Sequence, residues 1–511
     1  MTEIQLEYDK KKPGSIEEYS QKLINKTFGD VYEDYLKRHG ITGESLNEAI
    51  TQFENKKRKG GLGEIIEKYF FEYEPNSSPE PDFPEAGVEL KVSPYRINKK
   101  TGEISAKERL VLTMIDYDTV YKETFFESHF WHKANLLLLV YYLYEQEITN
   151  RLAYPIHYSK LFSPPDEDLS TIISDFKKIV EMIKAGKAHE ISCSNTVYLE
   201  ACPKASNSSI TRTQPFSDEP AKPRAFAFKN AYMTYVLNTY IVPNKPKYES
   251  IYQKAIGNYT ISINPANQTT AADGTATYQR EHIFNIKPLE EFVTEKIQKY
   301  IGYSVEQLCS EFDVKFNKKP KNLESMLVFR ILGIGGNNAE EFVKANIVVK
   351  TIRISLNGKI KESMSFPTFK FKELILEDWD ESTFGNYLRD TRFLFVVYRA
   401  EENYLDKKHP IYRLIGCQFW NMPYDDLEEN VRKVWLKTKF VLQDGLILEE
   451  KGNKITNNLP KASENPVCHV RPHGQNRDDA YELPDGRFYQ KQCFWLNNTY
   501  IQSQLKKEFF D

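Results

Sequence analysis

The sequence predicts an α/β protein, with α+β mixed sheets, assembled from two tandem halves of one design. Three observations carry that reading. The 511 residues are 40% hydrophobic and 13% aromatic, enough to fill packed cores in two or more domains of roughly 150 residues each. Short segments rich in Val, Ile, Leu and Tyr alternate with amphipathic helical stretches, the order in which sheets receive covering helices. Landmarks of the first half then recur in the same order in the second.

Helices are expected first, around Ser15 to Phe28 and Glu64 to Phe71, the latter entered through the glycine-rich turn Lys59-Gly60-Gly61-Leu62-Gly63. Val88 to Val92, Arg109 to Ile115 and Leu136 to Tyr142 read as strands, because β-branched, Leu and Tyr side chains suit a pleated interior. Leu169, Ile172, Ile173, Phe176, Ile179, Val180 and Ile183 then follow the helical spacing that lays one apolar stripe on a core, and Gly186 supplies the stop. The Asn-, Thr- and Gly-rich stretch 256–284 reads as a linker between a domain 1–255 and a domain 285–511.

The second half repeats the first. Asp82 to Lys91 (DFPEAGVELK) is echoed by Glu341 to Lys350 (EFVKANIVVK), and Lys107-Glu108 by Lys361-Glu362. A second amphipathic helix, carrying Leu427, Val431, Val434, Trp435 and Val441, ends before Gly445. Lys91 to Lys350 and Gly186 to Gly445 are separated by the same interval, as a duplication would leave them. Pro203-Lys204 matches Pro472-His473, and Phe228 to Tyr232 is aligned with Phe494 to Asn498.

Composition narrows the function classes. Lys+Arg number 69 against 72 Asp+Glu, a net charge of −3, so the chain is no polycation, although a local positive groove suffices for nucleic acid. The longest apolar run, Ala134 to Tyr144, is far short of the about 20 residues of a membrane span. No basic n-region with an apolar h-region opens the chain, so a cytoplasmic protein is expected. The six cysteines lie apart without a CxxC pair, and Cys468, His469 and His473 make only half a zinc site. Phe125-Phe126 and Phe130-Trp131 are expected in the core rather than stacked on bases.

Chemistry concentrates at Asp82 to Lys91. In a strand, residues i and i+2 share a face, so Glu89 and Lys91 point one way while Val88 and Leu90 enter the core. Asp82 arrives from a turn set by Pro81 and Pro84. Two carboxylates suit Mg²⁺ as hard oxygen ligands, and a lysine beside them suits a phosphodiester under attack by water. The same pattern also describes a plain strand edge with a surface ion pair. In the duplicate copy Val348 stands at the Glu89 position, so the second half is expected to be catalytically inactive.

These residues resemble the MutH family: the mismatch-repair nicking endonuclease and the longer type II restriction endonucleases that cleave at GATC. The resemblance rests on Asp82-Phe83-Pro84-x-x-Gly87-Val88-Glu89-Leu90-Lys91, on Lys59-Gly60-x-x-Gly63-x-x-x-Glu67, on His132-Lys133, Gly186-x-x-x-Glu190-Ile191 and Pro203-Lys204-Ala205-x-Asn207. The second half resembles the C-terminal domain of the restriction members through Val348 to Thr351, Lys361 to Phe366 and Cys468 to His473. The resemblance implies a restriction-endonuclease-like fold in each half and a catalytic set of Asp82, Glu89, Lys91, Glu67 and Lys133, with Asp82, Glu89 and Glu67 on the metal. It assigns Lys204 to the base-reading loop, where a lysine donates to guanine O6 and N7. Lys59, Arg224 and Lys229 are the further DNA-binding candidates.

The expected activity is Mg²⁺-dependent hydrolysis of double-stranded DNA at GATC, before the G, leaving 5′-phosphate and 3′-hydroxyl ends. The expected associates are GATC-containing DNA and, genetically, a cognate methyltransferase. The chain is expected to be a monomer in solution that dimerises on DNA, its second half binding a further GATC copy as an allosteric effector or a dimerisation aid. The alternatives are a repair nickase that depends on a partner and a non-catalytic GATC-binding protein.

Overall fold

Strand pairing sets the architecture of each half of the computed structural model, which describes residues 7–511 except 56–60, 75–78, 100, 205–209, 244–247, 253–286, 317–321, 337–338, 405, 407–408, 452–453 and 477. The described residues form two compact units: one comprises residues up to Tyr248 with Lys287, Pro288 and Val343–Ala345, the other Glu249–Tyr252, Leu289–Phe342 and Asn346 onward. The first unit thus closes before the expected 255, because Glu249 and its followers are tied to the second. The Glu249 carbonyl accepts the Glu340 amide at 2.9 Å, and the Glu341 carboxylate accepts the Ile251 amide at 2.9 Å. The expected linker 256–284 lies wholly outside the described residues.

In the first unit, β1 (Glu89–Ile97) pairs antiparallel with β2 (Ile104–Ala106), while β3 (Leu110–Met114) joins another sheet. β4 (Leu137–Leu143) runs parallel to β1 with Glu89 opposite Leu137, and β5 (Ile156–Phe162) returns antiparallel to β4. β4 is the apolar run, and Leu137 to Tyr141 are fully buried, as befits a strand covered on both faces. β6 (Leu199–Pro203) flanks a smaller hairpin, β7 (Arg212–Gln214) and β8 (Ser217–Ala221), and β9 (Arg224–Phe228) lies between β3 and β6. The first sheet, β2-β1-β4-β5, is mixed, as expected, and a second, β3-β9-β6, accompanies it. One face of the first is filled by Val88, Leu90, Leu138 and Val140 against Ile16, Phe28, Ile66 and Phe71.

The long helix Asp166–Lys184 buries the expected stripe from Leu169 to Ile183 and ends at Gly186, whose φ is +70°. Its fully buried Asp175 accepts the Val197, Tyr198 and Leu199 amides at 2.7 to 3.0 Å, fastening the helix to the start of β6. Phe125, Phe130 and Trp131 are buried in the core, as expected.

The second unit repeats this topology. β10 (Ile347–Ile354) precedes β11 (Met364–Phe369) and runs parallel to β12 (Arg392–Glu401), which pairs antiparallel with β13 (Ile411–Trp420). After two hairpin strands, β14 (Leu448–Lys451) and β15 (Lys454–Asn457), come β16 (Cys468–Pro472), the hairpin β17 (Ala480–Glu482) and β18 (Phe488–Gln490), and β19 (Gln492–Leu496). The order β11-β19-β16 mirrors β3-β9-β6, and β10-β12-β13 mirrors β1-β4-β5.

Register corrects one sequence alignment. Phe228 stands opposite Leu110 and Leu199, whereas Leu496 stands opposite Met364 and Cys468. Phe228 therefore corresponds to Leu496 rather than Phe494, and Asn230 to Asn498. The two asparagines confirm it: Asn230 Nδ2 donates to the Ala106 carbonyl at 3.0 Å, and Asn498 Nδ2 to the Ile360 carbonyl at 2.8 Å. The match of Pro203 with Pro472 holds, since each closes its strand opposite the first residue of the partner strand.

Candidate active site

A tight turn delivers Asp82 to the start of β1. Phe83 and Val88 exchange amide-to-carbonyl bonds at 2.9 and 3.2 Å, and Gly87 takes a φ of +65°, which a residue without a Cβ adopts at no steric cost. The turn brings Asp82 Oδ2 to the Leu90 amide at 2.9 Å. Val88 and Leu90 are buried in the core, so the alternation of the strand turns Glu89 and Lys91 to the opposite face.

The parallel partner strand supplies the next charge. β4 begins beside Glu89, and the short helix His129–Ala134 ends just ahead of it. Ser128 caps that helix, accepting the Trp131 amide at 3.1 Å while donating to the Phe125 carbonyl at 2.6 Å. With Phe130 and Trp131 anchored in the core, Lys133 is aimed at Glu89: its Nζ lies 3.3 Å from Oε2. Lys91 Nζ donates to Glu89 Oε1 at 2.7 Å. A carboxylate only 2% exposed needs such partners, because burying an unpaired charge is prohibitive.

Glu67 approaches from a π-helical turn, Ile66–Phe70, at the end of the helix that starts at Leu62. Burial first, and then the Asp82 carboxylate, push its pKa up to about 7. Asp82 is raised to about 6 by burial and by the Glu89 carboxylate, against the opposing pull of Lys91. Three carboxylates thus repel one another in one partly buried place, and Glu89 Oε2, although in ion-pair reach of Lys133, has no hydrogen-bond partner among the described residues. Hard oxygen donors under mutual repulsion suit a divalent cation, which would relieve it. Among the described residues no trio of His, Cys, Asp or Glu side chains is drawn tightly enough to cage an ion. The expected set Asp82, Glu89 and Glu67 is therefore gathered but not assembled as ligands, and the ammonium groups of Lys91 and Lys133 stand against Glu89.

The family described as DNA mismatch repair enzyme MutH matches residues 71–175, which span the turn, β1 and the Lys133 helix. The DNA mismatch repair proteins MutH of Shewanella putrefaciens (30% identical) and Vibrio cholerae (26% identical) align over 38% and 36% of the chain, covering 86% and 82% of those proteins. Type II restriction enzyme Sau3AI of Staphylococcus aureus is 33% identical over 93% of this chain and 99% of its own length. The chain belongs to the MutH-like type II restriction endonucleases. Both halves of this endonuclease thus have a counterpart in one restriction enzyme, whereas the repair proteins match less than half of it. It is a nuclease, and DNA is its substrate.

Within this restriction endonuclease the further DNA-binding candidates separate. Lys204 is exposed, held only through its main chain by the Pro223 carbonyl at 2.8 Å. Arg224 is a correction: it is 6% exposed, and its Nη1 donates to the Ala201 carbonyl at 2.7 Å, so it braces β6 against β9 instead of facing DNA. Lys229 is half-buried and donates to the Thr196 carbonyl at 2.5 Å. Lys59 lies outside the described residues, as do Ala205 and Asn207 of the recognition segment.

In the second half, the strand register places Val348 opposite Phe393 as Glu89 stands opposite Leu137. Ser382 caps its helix as Ser128 does, and counted from the two caps Tyr387 corresponds to Lys133. Lys350 remains, its Nζ donating to the Ser365 carbonyl at 3.2 Å, and burial lowers its pKa. Glu341, at the Asp82 position, is occupied by the Ser250 hydroxyl and the Ile251 and Tyr252 amides. One group near the first site escaped sequence reasoning altogether: Tyr73, which no motif distinguishes from the aromatic residues around it.

Proposed function

We propose that this enzyme hydrolyses double-stranded DNA at GATC in a Mg²⁺-dependent reaction, cutting before the G with Asp82, Glu89, Lys91, Glu67 and Lys133 as its catalytic set. The observation that carries this reading is the buried Glu89 held between Lys91 and Lys133 and flanked by Asp82 and Glu67. Its support for the sequence recognised is the family motif from Asp82 to Lys91 together with the exposed Lys204.

Asp82, Glu89 and Glu67 would hold the magnesium, which supplies Lewis-acid stabilisation of charge on the transferring phosphoryl group. The protein's own residues do the rest. Lys91 is partly exposed while Glu89 is sealed, so the ammonium can face the phosphodiester while the carboxylate fixes its direction. Lys133, set by the capped helix, adds positive charge where the pentavalent phosphorus becomes more negative. Water attacks phosphorus in line, the bond to O3′ breaks, and the products are a 5′-phosphate and a 3′-hydroxyl.

The second half, with Val348 and Tyr387 in place of Glu89 and Lys133, is inactive in this reading and binds a further GATC copy as an effector, with the chain dimerising on DNA. A cognate methyltransferase protects the host's own sites in the cytoplasm. Among the described residues no helix is long and apolar enough to cross a membrane.

The test is incubation of the purified chain with unmethylated plasmid and Mg²⁺, without partner proteins, followed by sequencing of the ends. Double-strand breaks at each GATC that vanish with EDTA are expected. Intact plasmid, or breaks at other sequences, refutes the reading.

A further inference from the structure

Tyr73 carries a hydroxyl, close to the carboxylates of the site, that is buried and has no hydrogen-bond partner among the described residues. Its place is fixed at both ends. The Tyr73 amide donates to the Glu67 carbonyl at 3.1 Å, folding the chain back onto the helical turn that carries Glu67. The ring packs edge-on against Phe83, the neighbour of Asp82, with centroids 5.3 Å apart. The adjacent phenol of Tyr8 shows the ordinary outcome, since its hydroxyl donates to the Phe71 carbonyl at 2.9 Å. Tyr73 Oη is instead sealed from solvent with no acceptor, an arrangement that costs stability and that proteins avoid unless the group has another use.

The charged groups that act on that hydroxyl are the Asp82, Glu67 and Glu89 carboxylates; burial first, and then these charges, hold the phenol far above its usual pKa, so it keeps the proton with which it can donate. Of these charges Asp82 acts on the phenol most strongly, and it adjoins the ring's packing partner Phe83 in the chain. One Asp82 oxygen, Oδ2, is taken by the Leu90 amide, and an ionised carboxylate accepts several hydrogen bonds.

We propose that Tyr73 is a positioning residue of the nuclease site, its hydroxyl donating a hydrogen bond to the Asp82 carboxylate once a divalent cation is bound among Asp82, Glu89 and Glu67. The phenol then holds that carboxylate in the orientation the cation requires. The proposal rests on the site assignment above and concerns the step from gathered to assembled ligands.

The test compares the full-length wild type, Tyr73→Phe and Glu89→Gln. Tyr73→Phe keeps the ring on Phe83 and removes only the donor. Calorimetric titration with Ca²⁺ alone should show an affinity several-fold weaker, and cleavage with Mg²⁺ should show kcat lowered by roughly ten- to a hundredfold at unchanged KM for DNA. In EDTA the unfolding midpoint should be equal to the wild type's or higher, since an unsatisfied donor has gone. Unchanged Ca²⁺ affinity and kcat would overturn the proposal, and so would a lowered midpoint in EDTA, which marks a structural hydroxyl. Glu89→Gln separates the two claims: if it cleaves at the wild-type rate, the site assignment itself is wrong, whereas an inactive Glu89→Gln beside a fully active Tyr73→Phe removes only Tyr73.

Discussion

Glu89 shows what one residue's surroundings demand. A carboxylate sealed from solvent survives because Lys91 and Lys133 neutralise it from two elements, so Glu89→Gln should lower cleavage on the order of 10³-fold or more while DNA binding persists. Gel-shift and single-turnover assays on the same preparation check both halves of that statement. Glu67 and Asp82 make a prediction of opposite character. Their pKa values in the folded chain, about 7 and about 6, lie above the ordinary 4.5 and 3.8, so the native state keeps protons that the unfolded chain releases. Their stabilising contribution is complete below about pH 4 and is lost as pH rises through 6 to 7. Without divalent cations, the unfolding midpoint should fall between pH 5 and pH 8. Glu67→Gln should flatten that fall, and Ca²⁺ at pH 8 should restore the midpoint; a variant that tracks the wild type at every pH would dismiss the repulsion.

At the scale of elements, the long helix and β6 are held by one buried side chain. Asp175 accepts three amides at the strand's beginning, so Asp175→Ala should strand those donors and cost about 3 kcal/mol, measured by urea unfolding. Because the same strand leads to Lys204, cleavage by the variant should also lose sequence discrimination before it loses rate. The second half meets the same need differently: Asn465 Oδ1, from the loop itself, accepts the Val467 and Cys468 amides at 2.9 and 3.1 Å. The long helices and the strands β1 and β4 were legible in the sequence because periodicity is a local property and their apolar faces are unbroken. The alignment of Phe228 with Phe494 was not, since aromatic residues recur near both strands and only hydrogen-bond register tells them apart. Arg224 was misassigned for a related reason: a guanidinium's exposure depends on strands distant in the chain.

For the whole molecule, duplication followed by divergence explains why one half keeps a charged site and the other keeps only its lysine. Lys350 is half-buried and, among the described residues, has no ion-pair partner; its partial burial lowers its pKa. The unfolded chain binds that proton up to the ordinary lysine value of about 10.4, so the penalty is greatest at neutral pH and fades as pH rises toward that value. Lys350→Met should therefore stabilise the protein by about 1 kcal/mol at pH 7. It should leave cleavage of a short duplex with a single GATC unchanged. Loss of that cleavage would mean that the second half takes part in the chemistry. The tyrosine at the Lys133 position and the engaged Glu341 were invisible to motif matching, since both follow from caps and contacts rather than spacing.

By itself the sequence determined the class of fold, its repeated landmarks, the turn and strand from Asp82 to Lys91 and the family to which the chain belongs, because turn residues, alternation and motif spacing are encoded within a few neighbours. Only the tertiary structure decided that Lys133 closes on Glu89, that Arg224 is withdrawn from the surface, and that Tyr73 faces the carboxylates without a partner. Those facts depend on which strands lie side by side, and strand partners are chosen by the packing of residues far apart in the chain.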